Sequence, residues 1–235
     1  MEFRQLADEI VKADYQHKYV VEKYSGYLRG KKVMDAGCWT GPVESEIIER
    51  GIDAELVGID ENMEALNVAA DNFSEFKFIQ CKLTEPAEAF ITKYESYFDT
   101  VMFLDVIEHL PRGSEIEVMK FLNKVMKPDG VIIMSTMASH FFNFVDPAWF
   151  VGHRHYKSGS INKILKGSGF EAIETSPIGN LCWDIDLLLS YIYKHILRRK
   201  YYTSDIMYKG IMRGFGTPVI STRIYLLAKK VGSGA

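Results

Sequence analysis

The chain has 235 residues, 47% of them apolar, a formal net charge of -3 and a pI near 6.1. That is long and apolar enough to bury a full core as one large domain, and the charge balance gives no global electrostatic reason to bind nucleic acid. The three cysteines, Cys38, Cys81 and Cys182, are odd in number and form no C-x-x-C pair, which argues against a disulfide framework or a structural zinc site and for a reducing, cytoplasmic compartment.

The N-terminal stretch MEFRQLADEIVKADYQHKY is charged throughout and lacks the apolar stretch of a secretion signal. No run of about 18 apolar residues follows it, so neither routine export nor a membrane span is expected. Leu6, Ile10, Val11, Tyr15, Tyr19, Val20 and Tyr24 recur at threes and fours and predict a helical cap over residues 1–29. Short apolar runs then alternate with longer periodic ones: KVMDA and PVESEIIER, AELVGID and NMEALNVAADNF, FKFIQC and EPAEAFITKY, FDTVMFLDV and SEIEVMKFLNKVM, then GVIIMSTM after a PDG turn. Strand and helix alternating at this spacing imply parallel strands with right-handed crossovers, hence a doubly wound α/β sheet with helices on both faces.

After residue 137 the regularity loosens. ASHFFNFVDPAWFVGHRHY suits a loop over the carboxyl edge of the sheet. SGSINKILKGSGF predicts a short Ser-capped helix, EAIETS a sixth strand and STRIYLLAKK a seventh, with a helical insertion between these two. The expected organisation is a single domain over 1–235: a cap at 1–29, a cofactor-binding core at 30–176, an insertion or lid at 177–220 and the last strand at 221–230.

In an open parallel sheet, ligands bind beyond the carboxyl ends of the strands near the switch point. DAGCWTG occupies the first strand-turn-helix there. Gly37 and Gly41 allow a sharp turn and close backbone approach, and Pro42 suits the first turn of the next helix. The second strand ends in Asp60, where a carboxylate can accept both hydroxyls of a ribose. Together these features call for an adenosine-containing cofactor. A dinucleotide needs a glycine where Trp39 stands, so a pyrophosphate is disfavoured. Asp35, at the strand end, is placed to face an ammonium group instead. Trp39 is then expected to point away from the cofactor, toward the sheet edge or the acceptor pocket.

VMDAGCWTG, VGID, YFDTVMFLDVIEHLP and VMKPDGVIIMST, in that order over roughly residues 30 to 176, resemble the class I S-adenosylmethionine-dependent methyltransferases, broadly the small-molecule enzymes of the ubiquinone pathway. The resemblance implies a Rossmann-like, mostly parallel seven-stranded sheet that binds S-adenosyl-L-methionine and releases S-adenosyl-L-homocysteine. Carried over, Asp35, Gly37, Cys38 and Gly41 hold the methionine moiety and Asp60 takes the ribose, with Glu61 a further cofactor-binding residue. Cys81 and Lys82 flank adenine, while Leu104 and Asp105 face the reacting methyl group. Lys82 stands where many members place an aspartate for the adenine amino group.

LDVIEHLP sets Asp105, Glu108 and His109 within one turn if the chain begins to coil there. Similar strings bind a divalent metal in members of the ubiquinone-pathway and small-RNA 2′-O-methyltransferases, with His153 or His155 of GHRHY as a further donor in the RNA-type arrangement. The favoured reading has no metal: the sulfonium methyl is already activated, and positioning plus a base suffices. His109, supported by Asp105, is the first candidate for that base, with His155 and His153 next. Cys38 reads as a small buried residue of the turn, without a base to make it a nucleophile.

Residues 187–213 carry Lys194, Arg198, Arg199, Lys200, Lys209 and Arg213 against Asp205, interleaved with tyrosines and leucines. Such a segment suits an anionic membrane surface, a lipid-like acceptor, a lid or a homodimer contact. The leading expectation is O-methylation of a small-molecule or lipid-like acceptor, with no DNA partner and RNA disfavoured. Metal-dependent RNA 2′-O-methylation and a non-catalytic cofactor-binding scaffold are the alternatives.

Overall fold

The computed structural model describes residues 15–139, 153–215 and 222–231. Of the predicted cap, residues 15–29 fall within this range and 1–14 lie outside it. Helix α1 runs Tyr15–Lys23 and a 3-10 turn follows at Ser25–Tyr27. The alternating part then gives β1 (Lys31–Ala36), α2 (Pro42–Glu49), β2 (Ala54–Asp60), α3 (Met63–Asn72) and β3 (Lys77–Gln80). Next come α4 (Glu88–Tyr94), β4 (Phe98–Leu104), α5 (Glu115–Val125) and β5 (Met126–Met137). Most of the aromatic stretch expected to form a loop, residues 140–152, lies outside the described residues; after it come α6 (Ser158–Gly167), β6 (Phe170–Ile178), α7 (Leu181–Tyr191), a π turn (Ile192–Ile196), α8 (Asp205–Arg213) and β7 (Arg223–Lys230).

The seven strands form one sheet in the order β3-β2-β1-β4-β5-β7-β6. β1 to β5 pair in parallel, whereas β7 runs antiparallel between β5 and β6. The sheet is therefore mixed, with an antiparallel β6-β7 pair at one end. Its order reverses between β1 and β4, the switch point where the carboxyl ends of strands open a crevice.

Period-two alternation builds the two apolar layers. Met34, Val101, Phe103, Ile132, Met134 and Leu226 face α4, α5 and α6, joining Phe90, Met119, Leu122 and Ile161. Val33, Met102, Ile133, Tyr225 and Leu227 face the other way, onto Val20 and Val21 of α1, Ile47 of α2, Trp183 of α7 and Ile211 of α8. The insertion therefore packs on the same face as the N-terminal helix. Tyr15 and Phe215 meet Trp183 at ring centroid separations of 5.3 Å each.

Two local expectations change. α6 is capped by Lys157, whose side chain makes no capping hydrogen bond, while Ser158 is its first helical residue. The helix before the PDG turn ends at Val125, and the turn is absorbed into β5 as an irregularity opposite Phe98 and Thr100, with Asp129 at φ 62°.

Candidate active site

β1 delivers Asp35 to the switch point, in register with Gly58 of β2 and Met102 of β4. The chain then turns through Gly37 (φ 90°), Trp39 (φ 49°) and Gly41 (φ 89°) into α2. Glycine is required at Gly37 because a Cβ there would collide with the side chain of Val106, in the loop after β4. Trp39 occupies the left-handed region without glycine's freedom, a strain of about 1–2 kcal/mol, and the surrounding bonds hold it there. Gly37 and Cys38 donate their N–H groups to the Ile59 carbonyl at 2.7 and 3.1 Å. The Trp39 N–H donates to one Asp60 carboxylate oxygen at 3.0 Å, and the Asn62 N–H to the other at 2.9 Å. The strand-terminal acid thus ties the glycine turn to the start of α3, which Asn62 caps through the N–H groups of Glu64 and Ala65.

Asp35 is buried beneath the turn. Burial pushes its carboxyl up to about 7, with His17 of α1 opposing the rise and Asp60 adding to it. Glu44, on the inner face of α2, is fully buried too. Burial and Asp35 hold its carboxyl well above the ordinary carboxylate range, and neither oxygen has a hydrogen-bond partner. Sequence reasoning missed both His17 and Glu44. Glu44 gave no signal, since an acid in the first turn of a helix is ordinarily solvated.

Asp105 follows β4 at φ 55°. Its N–H donates to Ser135, the Ser135 hydroxyl donates to its carboxylate at 2.8 Å, and Arg223 of β7 closes an ion pair on the same oxygen. Glu108 turns inward instead, accepts from the Thr136 hydroxyl at 3.0 Å, and is pushed up to about 8 by burial and by Asp105. His109 turns outward, its ring edge-on to His153 at 4.3 Å, and burial and that neighbour lower its pKa. The predicted grouping of three donors within one turn therefore splits three ways. Among the described residues no group of three or more His, Cys, Asp or Glu is arranged to hold a metal ion.

The loop itself is held by Arg154, whose guanidinium donates to the carbonyls of Ile107 and Leu110 at 2.7 and 2.6 Å and pairs with Glu115. The histidines on either side of Arg154 drew the sequence reading, yet the arginine between them does the bracing. An isolated arginine in a loop carries no pattern that announces such a role.

These elements surround a cavity of about 900 Å³ beyond the carboxyl ends of β1, β2 and β4. Of the residues singled out from the sequence, Gly37, Asp60, Glu61, Cys81 and Lys82 line one stretch of it, and Leu104, Asp105 and His109 another. Trp39 also lines it, together with His17 and Pro42. Asp35, Cys38 and Gly41 are not on the wall. Asp35 and Cys38 are buried, and a Cβ on Gly41 would strike Phe73 at 2.6 Å. His153 reaches the site through His109, but His155 is not part of the wall. Burial pushes the thiols of Cys38, behind the wall, and Cys81, on it, upward, the latter to about 11, which leaves both unreactive.

A family profile described as a methyltransferase domain matches residues 12–175, the span that holds the turn, Asp60 and the His109 loop. The chain belongs to the class I S-adenosylmethionine-dependent methyltransferases. A ubiquinone biosynthesis O-methyltransferase of Proteus mirabilis strain HI4320 is 32% identical over 133 residues, covering 57% of this chain and 50% of that relative. The chain thus spans about half the length of the curated relatives it matches. An S-adenosylmethionine-dependent methyltransferase from Archaeoglobus fulgidus shares the fold with a TM-score of 0.66 at 15% identity, covering 98% of this methyltransferase and 100% of that one. The [4+2]-cyclase SpnF shares it at 0.64 and 16% identity, covering 92% and 81%. A cyclase on the same frame means that the fold leaves the reaction to be argued from the site.

Proposed function

We propose that the protein transfers the methyl group of S-adenosyl-L-methionine to an oxygen of a small-molecule or lipid-like acceptor. The observation that carries this reading is the convergence of the glycine turn, Asp60 and the His109 loop on one cavity at the switch point, in a member of a family whose methyl donor is S-adenosylmethionine. The wall fits that donor. Gly37 brings backbone to the cavity wall, where an amino-acid-like moiety can approach it, and each Asp60 oxygen, having taken one N–H, keeps a lone pair for a ribose hydroxyl. Glu61 lies beside it, Cys81 and Lys82 are placed to flank adenine, and Leu104 and Asp105 to face the reacting carbon. When bound, the donor supplies an already activated methyl group. The residues then have to orient the acceptor, exclude water and take one proton.

His109 is the base in this proposal. It reaches the cavity, and its lowered pKa keeps the imidazole neutral and ready to accept the acceptor's hydroxyl proton. Asp105, held by Arg223 and Ser135, opposes that lowering and stabilises the imidazolium that forms. A divalent metal does not fit this donor set: the carboxylate of Asp105 is occupied by a guanidinium, and Glu108 is buried facing Thr136, away from His109. Activity is expected to survive excess chelator.

The insertion supports the lipid-like end of the acceptor range. Ile196, Tyr202 and Ile206 are 67%, 79% and 85% exposed, beside exposed Arg198 and Arg199, which suits contact with an anionic bilayer. Among the described residues no helix is long and apolar enough to cross a membrane. Flotation with anionic vesicles, lost when Arg198 and Arg199 become alanine, tests that contact.

S-adenosylmethionine or its demethylated product should raise the melting temperature by mass-action linkage, and labelled methyl groups should pass to members of a phenolic and polyprenyl-phenolic panel. Absence of a thermal shift at millimolar cofactor sinks the proposal. Binding with no transfer across the panel favours the scaffold alternative.

A further inference from the structure

The turn that carries His109 lies between β4 and α5, outside any strand or helix. Inside it the His109 N–H donates to the Val106 carbonyl at 3.0 Å. That bond closes the turn but leaves its tilt over the cavity to outside contacts. Val106, His109, Leu110 and Pro111 form the wall there, so a change of tilt moves the imidazole against whatever occupies the cavity.

The outside contacts converge on Arg154. One guanidinium nitrogen donates to the Ile107 and Leu110 carbonyls at 2.7 and 2.6 Å, and Nε donates to the Glu108 carbonyl at 3.5 Å, so carbonyls on both sides of His109 are held. The remaining nitrogen pairs with Glu115, the first residue of α5. The guanidinium lies 5.5 Å from the ring centre of Tyr156, whose hydroxyl also donates to the Ile107 carbonyl, at 3.3 Å. Tyr156 is itself fixed to the end of β5: its N–H donates to the Met137 carbonyl and its carbonyl accepts from the Ser139 N–H, both at 2.8 Å. Arg154 thus passes the rigidity of β5 and α5 to the turn. A guanidinium suits the task, because its donors lie in a fixed plane and a charged donor makes short, strong bonds. Its neighbour in the chain, His153, sets its ring edge-on to His109 at 4.3 Å.

We propose that Arg154 is a positioning residue for methyl transfer, which aims His109 at the acceptor's hydroxyl from outside the described wall of the cavity. This rests on the reading of His109 as the base that takes the acceptor's proton. Help from a placed base is worth about 10²- to 10⁴-fold, and a displacement of about 1 Å can cost about 10²-fold. An acceptor that has already lost its proton needs no base. The effect of Arg154 should therefore depend on the acidity of the acceptor, a dependence that a purely structural brace does not produce.

Transfer from labelled S-adenosylmethionine to two phenols, with the full chain at about pH 7.5, provides the test: phenol itself, which titrates near 10 and stays protonated, and para-nitrophenol, which is largely an anion. Arg154→Met should lower kcat for phenol by about 30- to 100-fold, lower it for para-nitrophenol by less than about threefold, and leave KM for S-adenosylmethionine within about twofold. Arg154→Lys keeps the charge without the planar fork and should fall between. Equal loss with both phenols would make Arg154 a part of the fold alone, and an unchanged kcat for phenol would remove it from the reaction; either overturns the assignment. If Arg154→Met melts below the working temperature, Arg154→Lys carries the comparison. Wild-type protein that methylates neither phenol defeats the methyl-transfer reading for simple phenols, a result distinct from a failure of Arg154. The placement is then read without an acceptor, from the nuclear Overhauser contact between the imidazole protons of His109 and His153. That contact should persist in Arg154→Lys and vanish in Arg154→Met, and its survival in Arg154→Met overturns the assignment.

Discussion

The two ends of the sheet solve different problems. From β1 to β4 the site is made of backbone and of acids at strand ends: Gly37 passing Val106, two N–H groups on the Ile59 carbonyl, and Asp60 bridging Trp39 to Asn62. From β5 to β7 it is made of long side chains that reach across the fold. Arg223 spans from β7 to Asp105 while its guanidinium lies 5.7 Å from the ring of Trp183 in the insertion. Arg154 grips the His109 loop from beyond β5. The first construction leaves little room for a change of backbone, as Gly37 against Val106 and Gly41 against Phe73 show. The second depends on partners distant in sequence, and in the proposed function it is the side that meets the acceptor.

The sharpest way to break this contrast is to remove Arg223. Arg223→Met leaves Asp105 beside buried Glu108 with no cation between them, and losing one partner of a largely buried pair costs about 3–5 kcal/mol. Because the Asp105 side chain is 28% exposed, the low end is expected, about 3 kcal/mol by urea unfolding. Arg223→Met with Asp105→Asn should recover part of it. S-adenosylhomocysteine affinity should fall less than tenfold, and amide exchange should quicken in 181–213, where Trp183 loses its cation. An equal collapse of affinity would mean that the two constructions are one.

Gly37→Ala probes the other side. The added methyl group meets Val106 and forces a side chain into the left-handed region, together costing about 2–3 kcal/mol. Here the loss should appear in the affinity for S-adenosylhomocysteine, roughly 30- to 100-fold by calorimetry, with the insertion's amide exchange unchanged.

The same contrast explains what was legible beforehand. The strands from β1 to β4, the turn and Asp60 could be read because each uses a local pattern: an apolar run, a glycine spacing, an acid at a strand end. The methyltransferase resemblance follows from those same residues. What escaped were the side chains whose partners are far away in sequence: His17 facing Asp35, Arg154 under the loop, Arg223 on Asp105. The split of Asp105, Glu108 and His109 was equally hidden, because it depends on Ser135 and Thr136 at the end of β5 and on the turn taken at Asp105. β7 read correctly as a strand, but its antiparallel direction is set by the chain's return through the insertion, which no local pattern announces.

Glu108 offers a gentler test of the acceptor side. Its carboxyl is raised in the folded protein, to about 8 from an ordinary 4.5. A raised acid stabilises the fold fully below the unfolded value and loses that contribution as pH climbs from about 4.5 to about 8. Glu108→Gln keeps an acceptor for the Thr136 hydroxyl and removes the titration. The variant should match wild type near pH 4.5 and exceed it by about 1–3 kcal/mol near pH 8.5 in urea unfolding. A pH dependence identical to that of wild type would show that Glu108 does not carry the buried proton.

The smallest effect is expected where the two constructions meet, at Trp39. Its backbone belongs to the donor side, since its N–H holds Asp60 and its φ of 49° is a conformation glycine adopts freely. Its side chain is counted with the cavity wall, which it shares with Asp60, Leu104 and His109. Trp39→Gly relieves about 1 kcal/mol of left-handed strain in the folded state but frees the unfolded chain by a similar amount, so stability should change by less than about 1 kcal/mol. The N–H to Asp60 survives the change, and S-adenosylhomocysteine affinity should stay within about threefold by calorimetry. The indole, by contrast, is a large apolar surface for an acceptor to meet, so the Michaelis constant for any acceptor found in the panel should rise while the turnover number holds. A parallel loss of cofactor and acceptor binding would instead put the indole against the donor and erase the division at the one residue that straddles it.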